Sequence, residues 1–217
     1  MTSYTDFYRR SIDDRDAFWA EQAQLIDWQT PPQTICDYSK PPFAKWFVGG
    51  TTNLCHNAVD RHLKDRADQP ALIFVSTETD QEKVYTFREL HAEVQRMAAV
   101  LKGLGVQKGD RVLIYMPMIA EACFAMLACT RIGALHCVVF GGFASGSLAT
   151  RIDDAEPKGI VSADAGSRGG KPVPYKPLLD EAIKLSKHKP DAVLLVDRGL
   201  STMNLVAGRD RLWGAER

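Results

Sequence analysis

The sequence predicts an α/β fold, a mostly parallel sheet flanked by helices, entered through an irregular and helical N-terminal lead-in. Two observations predict it. From residue 70 onward, apolar runs of strand length alternate with segments of helical periodicity, and that alternation builds a parallel sheet through right-handed crossovers. Within this run, Val138-Val139-Phe140-Gly141-Gly142-Phe143-Ala144-Ser145-Gly146-Ser147 joins a strand to a helix through a glycine-rich turn. Residues 1–50 lack this rhythm, so the expected division is a lead-in over 1–50, an α/β unit over 51–200 and a tail over 201–217.

In chain order, Ser11-Ile12-Asp13-Asp14 offers N-cap residues, and Phe18, Trp19, Ala23 and Ile26 recur at helical spacing. A helix over 14–27 follows. Pro31-Pro32 and Pro41-Pro42 predict extended chain, with Trp19, Trp28, Phe43 and Trp46 as apolar anchors against another surface. Asn53 or a nearby Thr caps a helix carrying Leu54, Ala58, Val59 and Leu63. His56 and His62 lack a second ligand at metal spacing and read as structural or solvated.

Residues 71–75 read as a buried strand, with Val84 and Tyr85 closing a short hairpin onto it. Thr86-Phe87-Arg88-Glu89 has capping-box spacing and opens a helix whose apolar residues Leu90, Val94, Met97, Leu101 and Leu104 share one face. Gly103 and Gly105 mark its end. A strand at 111–115 stops at Pro117, and 119–131 is apolar on nearly every side, as expected of a helix buried on both faces. Strands at 135–139, 159–162 and 192–196 and helices near 145–155 and 176–187 complete the pattern.

The 217 residues are 45% apolar and 25% charged, an ordinary globular composition. Lys plus Arg and Asp plus Glu both number 27, so there is no basic bias toward nucleic acid or an anionic membrane. An anionic ligand must be held locally. The N-terminus lacks a signal-peptide layout and no apolar stretch reaches the ~20 residues that cross a bilayer, giving the expectation of a cytoplasmic protein. The five cysteines are scattered without a CxxC pair, which fits free thiols and no zinc site.

Open parallel sheets bind ligands beyond the carboxyl ends of their strands, here the loops 140–147 and 163–171. Backbone N–H groups of a glycine-rich turn and of a helix N-terminus suit an anion, usually a phosphate. The spacing Gly141-Gly142-x-x-x-Gly146 is neither the dinucleotide fingerprint nor a P-loop, so a plain βα turn is the alternative. If strands 135–139 and 159–162 are neighbours, Arg168 and Lys171 come close to Gly141 and Gly142, and two cations beside that turn look like a phosphate site. Two solvated loop cations are the alternative. Glycine spacers make the second loop mobile. No catalytic constellation is present, and Asp153 and Asp154, adjacent on a helix, do not face one another.

Gly109-Asp110-Arg111-Val112, Tyr115-Met116-Pro117-Met118-Ile119, Ala128-Cys129-Thr130-Arg131-Ile132-Gly133-Ala134 and the stretch from Val138 to Phe143 closely resemble the N-terminal part of acetyl- and propionyl-CoA synthetases, AMP-forming acyl-CoA ligases of the adenylating superfamily. The likeness covers about residues 4–200, and Trp19-Ala20-Glu21-Gln22-Ala23, Ile26-Asp27-Trp28-Gln29-Thr30-Pro31, Asn53-Leu54-Cys55-His56-Asn57 and the stretch from Val161 to Lys171 look most like the propionyl enzymes. The resemblance implies a two-step reaction: a short carboxylate and ATP, with Mg, give an acyl-adenylate and pyrophosphate, and the CoA thiol then displaces AMP. It implies that Phe140, Gly141 and Gly142 line the CoA nucleotide. Two arginines of the related acetyl enzymes, which hold the CoA 3′-phosphate, match Arg168 and Lys171; lysine keeps the charge there and loses the bidentate fork.

Family members continue for several hundred residues through an ATP loop, an acyl pocket and a mobile domain with a catalytic lysine, none of which this chain contains. The expectation is an N-terminal fragment, inactive alone and without an ATP site, serving small molecules. Its helix 119–131 and one sheet edge are expected to expose apolar surface and favour self-association. The alternatives are a non-catalytic CoA- or nucleotide-binding module or one half of a split ligase. A NAD-type dehydrogenase domain is disfavoured by the glycine pattern.

Overall fold

The structure, a computed structural model, describes residues 3–217, which divide into two compact units at the Arg61/His62 boundary. In the first, helix α1 (Tyr4–Asp13) starts where the Ser3 side chain accepts the Asp6 N–H, and α2 (Arg15–Gln22) follows, continued by a single 3-10 turn at Ala23–Leu25. The predicted helix over 14–27 is therefore corrected: helix begins at Tyr4 and ends by Leu25. The reason is the backbone of Asp14, non-helical at φ −122° and ψ 52°. Together with the Ser11 hydroxyl bonded to the Tyr8 carbonyl, it makes the expected cap the break between two helices.

Strands β1 (Thr34–Lys40) and β2 (Phe43–Val48) pair antiparallel around Pro41-Pro42, so the second proline pair sits at a turn between paired strands. The aromatic anchors pack on one another: Trp19 against Trp46 at 5.7 Å and Trp28 against Phe47 at 5.5 Å between ring centroids. Phe43 instead stands 80% exposed beside the turn. Helix α3 (Leu54–Ala58) is capped by the Asn53 side chain, which accepts the His56 N–H at 3.1 Å.

The second unit opens with α4 (Leu63–Arg66) and a hairpin of β3 (Pro70–Ser76) and β4 (Gln81–Thr86). The buried strand expected at 71–75 is corrected: Ile73 and Val75 are exposed, because β3 pairs only with β4 and lies outside the main sheet. Helix α5 (Phe87–Gly103) has its capping box: the Thr86 hydroxyl accepts the Glu89 N–H at 3.2 Å and the Glu89 carboxylate accepts the Thr86 N–H at 2.8 Å. Leu90, Val94, Met97 and Leu101 form its buried stripe.

Then come β5 (Arg111–Met116), α6 (Ala120–Ile132), β6 (Leu135–Phe140), α7 (Ser145–Ala155), β7 (Gly159–Ala163), β8 (Ala165–Arg168), β9 (Lys171–Pro174), α8 (Tyr175–Leu185), β10 (Ala192–Val196), β11 (Asp210–Leu212) and α9 (Trp213–Glu216). The main sheet runs β11-β10-β7-β5-β6 and every pairing in it is parallel. Strands 135–139 and 159–162 are thus not neighbours; β5 lies between them. Val112 to Met116 are buried without a break, as a central strand requires, whereas β6 leaves Leu135, Val138 and Phe140 exposed at the sheet edge. Strand β11 and α9, with Trp213 buried, fall in 201–217, where no element was predicted.

Leu113, Tyr115, Ile160, Val193 and Leu195 point to one face of the sheet and pack on Leu148, Ile152, Leu179 and Ile183 of α7 and α8. Each fully buried leucine or isoleucine contributes about 1.5–3 kcal/mol, so Leu179→Ala would cost about 2–5 kcal/mol. Helices α5 and α6 pack together, and α6 also meets β5 and β6. Buried on both faces was the expectation for α6; it is buried along Ala120, Phe124, Ala125, Ala128 and Cys129 and only half-buried elsewhere. Among the described residues no helix is long and apolar enough to cross a membrane.

Candidate functional site: a cleft at the switch point of the sheet

From β5 the chain crosses to β6, toward one edge of the sheet; from β7 it crosses to β10, toward the other. The carboxyl ends of β5 and β7 are therefore the point where the connections diverge, and a crevice opens there in sheets of this kind. A cleft of about 580 Å³ occupies this position, lined in part by Met116, Phe140, Gly141, Gly142, Arg168 and Tyr175.

The glycine-rich turn is shaped by two stacked tyrosines. The Tyr115 hydroxyl donates to the Phe143 carbonyl at 3.1 Å; burial, with Tyr175 adding to it, pushes its pKa up to about 12. Tyr175 stacks on it at 4.9 Å and its hydroxyl would lie 2.1 Å from a Cβ on Gly141 and 2.6 Å from one on Gly166. A Cβ on Gly142 would stand 2.4 Å from the Phe140 ring and 2.7 Å from Arg168 Nη2. Close approach, not a positive φ, is what demands glycine at 141 and 142. Helix α7 starts directly after this turn, with Ala144 at its cap position and no side chain bonded to its first amides.

Arg168 reaches Gly142 despite the intervening β5, because 165–174 is a hairpin standing on the end of β7. The loop expected at 163–171 is corrected to a hairpin accordingly. Arg168 and Lys171 are cross-strand partners around Gly169 and Gly170, both at positive φ (57° and 75°), the two-residue turn that suits strand twist. Directly opposed residues share a face of a hairpin, so the two cations are held side by side. The structure brings Phe140, Gly141, Gly142 and Arg168 to one cleft; Lys171 flanks Arg168 and is not among the lining residues.

Three polar residues at this site escaped the sequence reading. Glu78, in the β3–β4 turn, accepts the Ser167 N–H at 3.0 Å and pairs with Arg198 at 2.5 Å. Arg198 donates to the Ala165 carbonyl at 2.8 Å. The fully buried Asp164 accepts the N–H groups of Ala165 and Leu200, each at 2.7 Å, and of Ser201 at 3.1 Å. None lies in a motif; only Asp164, an acid directly after an apolar strand, carries a local signal. His56 pairs with Asp27 at 3.3 Å and His62 packs on the Phe87 ring at 4.9 Å; among the described residues no group of three His, Cys, Asp or Glu could hold a metal ion.

Backbone amides, one guanidinium and an apolar wall make a surface for an anion attached to a flat or apolar group. A family model described as AMP-binding enzyme matches residues 59–210. The chain belongs to the AMP-binding enzyme family. A second model, the N-terminus of acetyl-coenzyme A synthetase, matches residues 4–58. Among curated relatives, the propionate--CoA ligase of Escherichia coli (strain K12) is 62% identical over 208 residues, 96% of this chain and 33% of the relative. The acetyl-coenzyme A synthetase of Methylobacterium radiotolerans is 50% identical over 211 residues, 95% of this chain and 33% of its own length. The chain thus spans about a third of the length of these relatives. The solved acetoacetyl-CoA synthetase from Streptomyces lividans superimposes with a TM-score of 0.88 at 29% identity, over 99% of this chain and 33% of that one.

Proposed function

We propose that this chain is the N-terminal part of an AMP-forming short-chain acyl-CoA synthetase and supplies one wall of its coenzyme A site. Phe140, Gly141 and Gly142 flank the nucleotide, and Arg168 with Lys171 holds its 3′-phosphate. The reaction of the whole enzyme is propionate or acetate with ATP and CoA, giving acyl-CoA, AMP and pyrophosphate, with Mg accompanying ATP. The observation that carries this reading is Arg168 standing beside Gly142 at the switch point of the sheet in a chain 62% identical to a propionate--CoA ligase.

On this reading residues 1–50 are a lead-in and 51–200 the ligand-bearing subdomain; the partners are small molecules in the cytoplasm, not nucleic acid or membrane. Formal net charge is zero, so the anion is drawn by local cations rather than by the whole surface. The exposed Leu135, Val138 and Phe140 along the β6 edge favour self-association at high concentration.

Calorimetric titration with CoA and with 3′-dephospho-CoA tests the site: CoA binds more tightly, and Arg168→Ala removes most of the difference. Equal binding of the two ligands sinks the assignment. The 217-residue chain alone is expected to support no propionate-dependent ATP–pyrophosphate exchange; exchange by it would show the chemistry to reside here.

A further inference from the structure

The carboxylate of Glu78 lines a cleft read as a phosphate site, where a free negative charge would repel the ligand. It is not free. One oxygen accepts the Ser167 N–H and the other pairs with Arg198, so both oxygens are engaged by donors. Arg198, its side chain 7% exposed, bridges on to the Ala165 carbonyl. Strand β8 is four residues long, and this pair grips it at Ala165 and Ser167. Arg168 is the next residue. On the other side, the Glu78 turn is itself pinned: the Ser76 hydroxyl accepts the N–H groups of Glu78 at 3.3 Å and Thr79 at 3.2 Å.

We infer that Glu78 and Arg198 form a latch that positions Arg168 for the phosphate, a proposal that rests on reading the cleft as a coenzyme A site. A hairpin of two four-residue strands joined only to each other is marginal by itself. Its aim toward Gly142 must come from outside its own ladder. Glu78 and Arg198 are positioning residues: they orient the guanidinium through the β8 backbone. The pairing also cancels the Glu78 charge and leaves Arg168 as the cation facing the ligand.

The test uses the 217-residue chain with Glu78→Ala, which removes both links, and Arg198→Lys, which keeps the charge and loses the bridge to Ala165. Two readouts are taken: affinity for CoA against 3′-dephospho-CoA by calorimetry, and hydrogen exchange of the Ser167 amide by NMR. Loss of a charge-assisted hydrogen bond predicts CoA binding weakened about tenfold in Glu78→Ala, with 3′-dephospho-CoA binding unchanged and Ser167 exchanging at least about tenfold faster. Arg198→Lys shows the same pattern to a smaller degree. A merely structural role would weaken both ligands together. Glu78→Ala keeping the full preference for CoA, or losing both ligands equally, overturns the latch. If the unsubstituted chain binds the two ligands equally, the coenzyme A reading itself falls, so the two failures appear in different samples.

Discussion

The Tyr175 hydroxyl stands 2.1 Å from the position a Cβ on Gly141 would take, and its ring is backed by Tyr115 at 4.9 Å. The phenol is buried and stacked, so it cannot swing aside without losing that packing. Gly141→Ala is therefore expected to destabilise the fold by about 1–3 kcal/mol. Gly146, in the first turn of α7 with open space where a Cβ would go, is the control: Gly146→Ala should be neutral or stabilising by up to about 1 kcal/mol. Urea unfolding of the two variants separates the close-approach explanation from a general need for glycine in this turn.

Tyr115→Phe leaves the Phe143 carbonyl without its buried donor, which is expected to cost about 1–3 kcal/mol. The hydroxyl also has a pH signature. Its pKa is raised by burial from 10.0 to about 12, so its contribution to stability is complete below pH 10 and is lost as pH rises through 12. A phenolate absorbance titration should show a late-ionising tyrosine that is missing in Tyr115→Phe.

Lys176, Asp180, Arg209 and Asp210 form a charge network at the start of α8. Lys176 and Asp210 are 3.0 Å apart with side chains 1% and 0% exposed, and Arg209 bonds both acids. Burial works to raise the Asp210 pKa, but hydrogen bonds from Arg209, the Val206 N–H and Lys176 outweigh it and hold the group below 3.8. A lowered folded pKa means stability that is present above the ordinary carboxylate value and drains away as pH falls through the folded one. Asp210→Asn should cost about 1–3 kcal/mol near neutral pH, because it leaves Lys176 and Arg209 to share the one remaining carboxylate of Asp180. It should also flatten the acid limb of an unfolding-versus-pH series.

Arg168 and Lys171 are exposed at the tip of a hairpin, so alanine at either should move unfolding free energy by no more than about 0.5 kcal/mol. On the coenzyme A reading their ligand effects should differ. Arg168 lines the cleft and Lys171 does not, so Arg168→Ala should weaken CoA about tenfold or more and Lys171→Ala about two- to threefold, the difference between a charge-assisted hydrogen bond and a screened nearby charge. Equal losses in calorimetry would mean that the hairpin turns its other cation inward on binding.

The periodic part of the chain was legible because its elements are locally determined. Apolar alternation, the Thr86–Glu89 box and the stop at Pro117 each act within a few residues. Strand order was not legible. It depends on which strand is buried on both faces, and the contrast between β5 and β6 emerges only on assembly. Gly169 and Gly170 were read as slack when their positive φ makes them a tight turn. Loop position singled out Gly141, Gly142, Arg168 and Lys171, and the resemblance added Phe140; all but Lys171 line one cleft. Glu78 lies about ninety positions before the hairpin it holds, and a pairing at that separation leaves no local pattern.

One consequence of the Tyr175 wedge concerns how this sequence can drift. Its hydroxyl fills the space beside two glycines on different segments, Gly141 and Gly166, so positions 141, 166 and 175 are not free to vary independently. Among homologues, alanine at either glycine should occur with a smaller residue in place of the tyrosine. The three positions should therefore covary as a unit, across a gap that no contact along the sheet would explain.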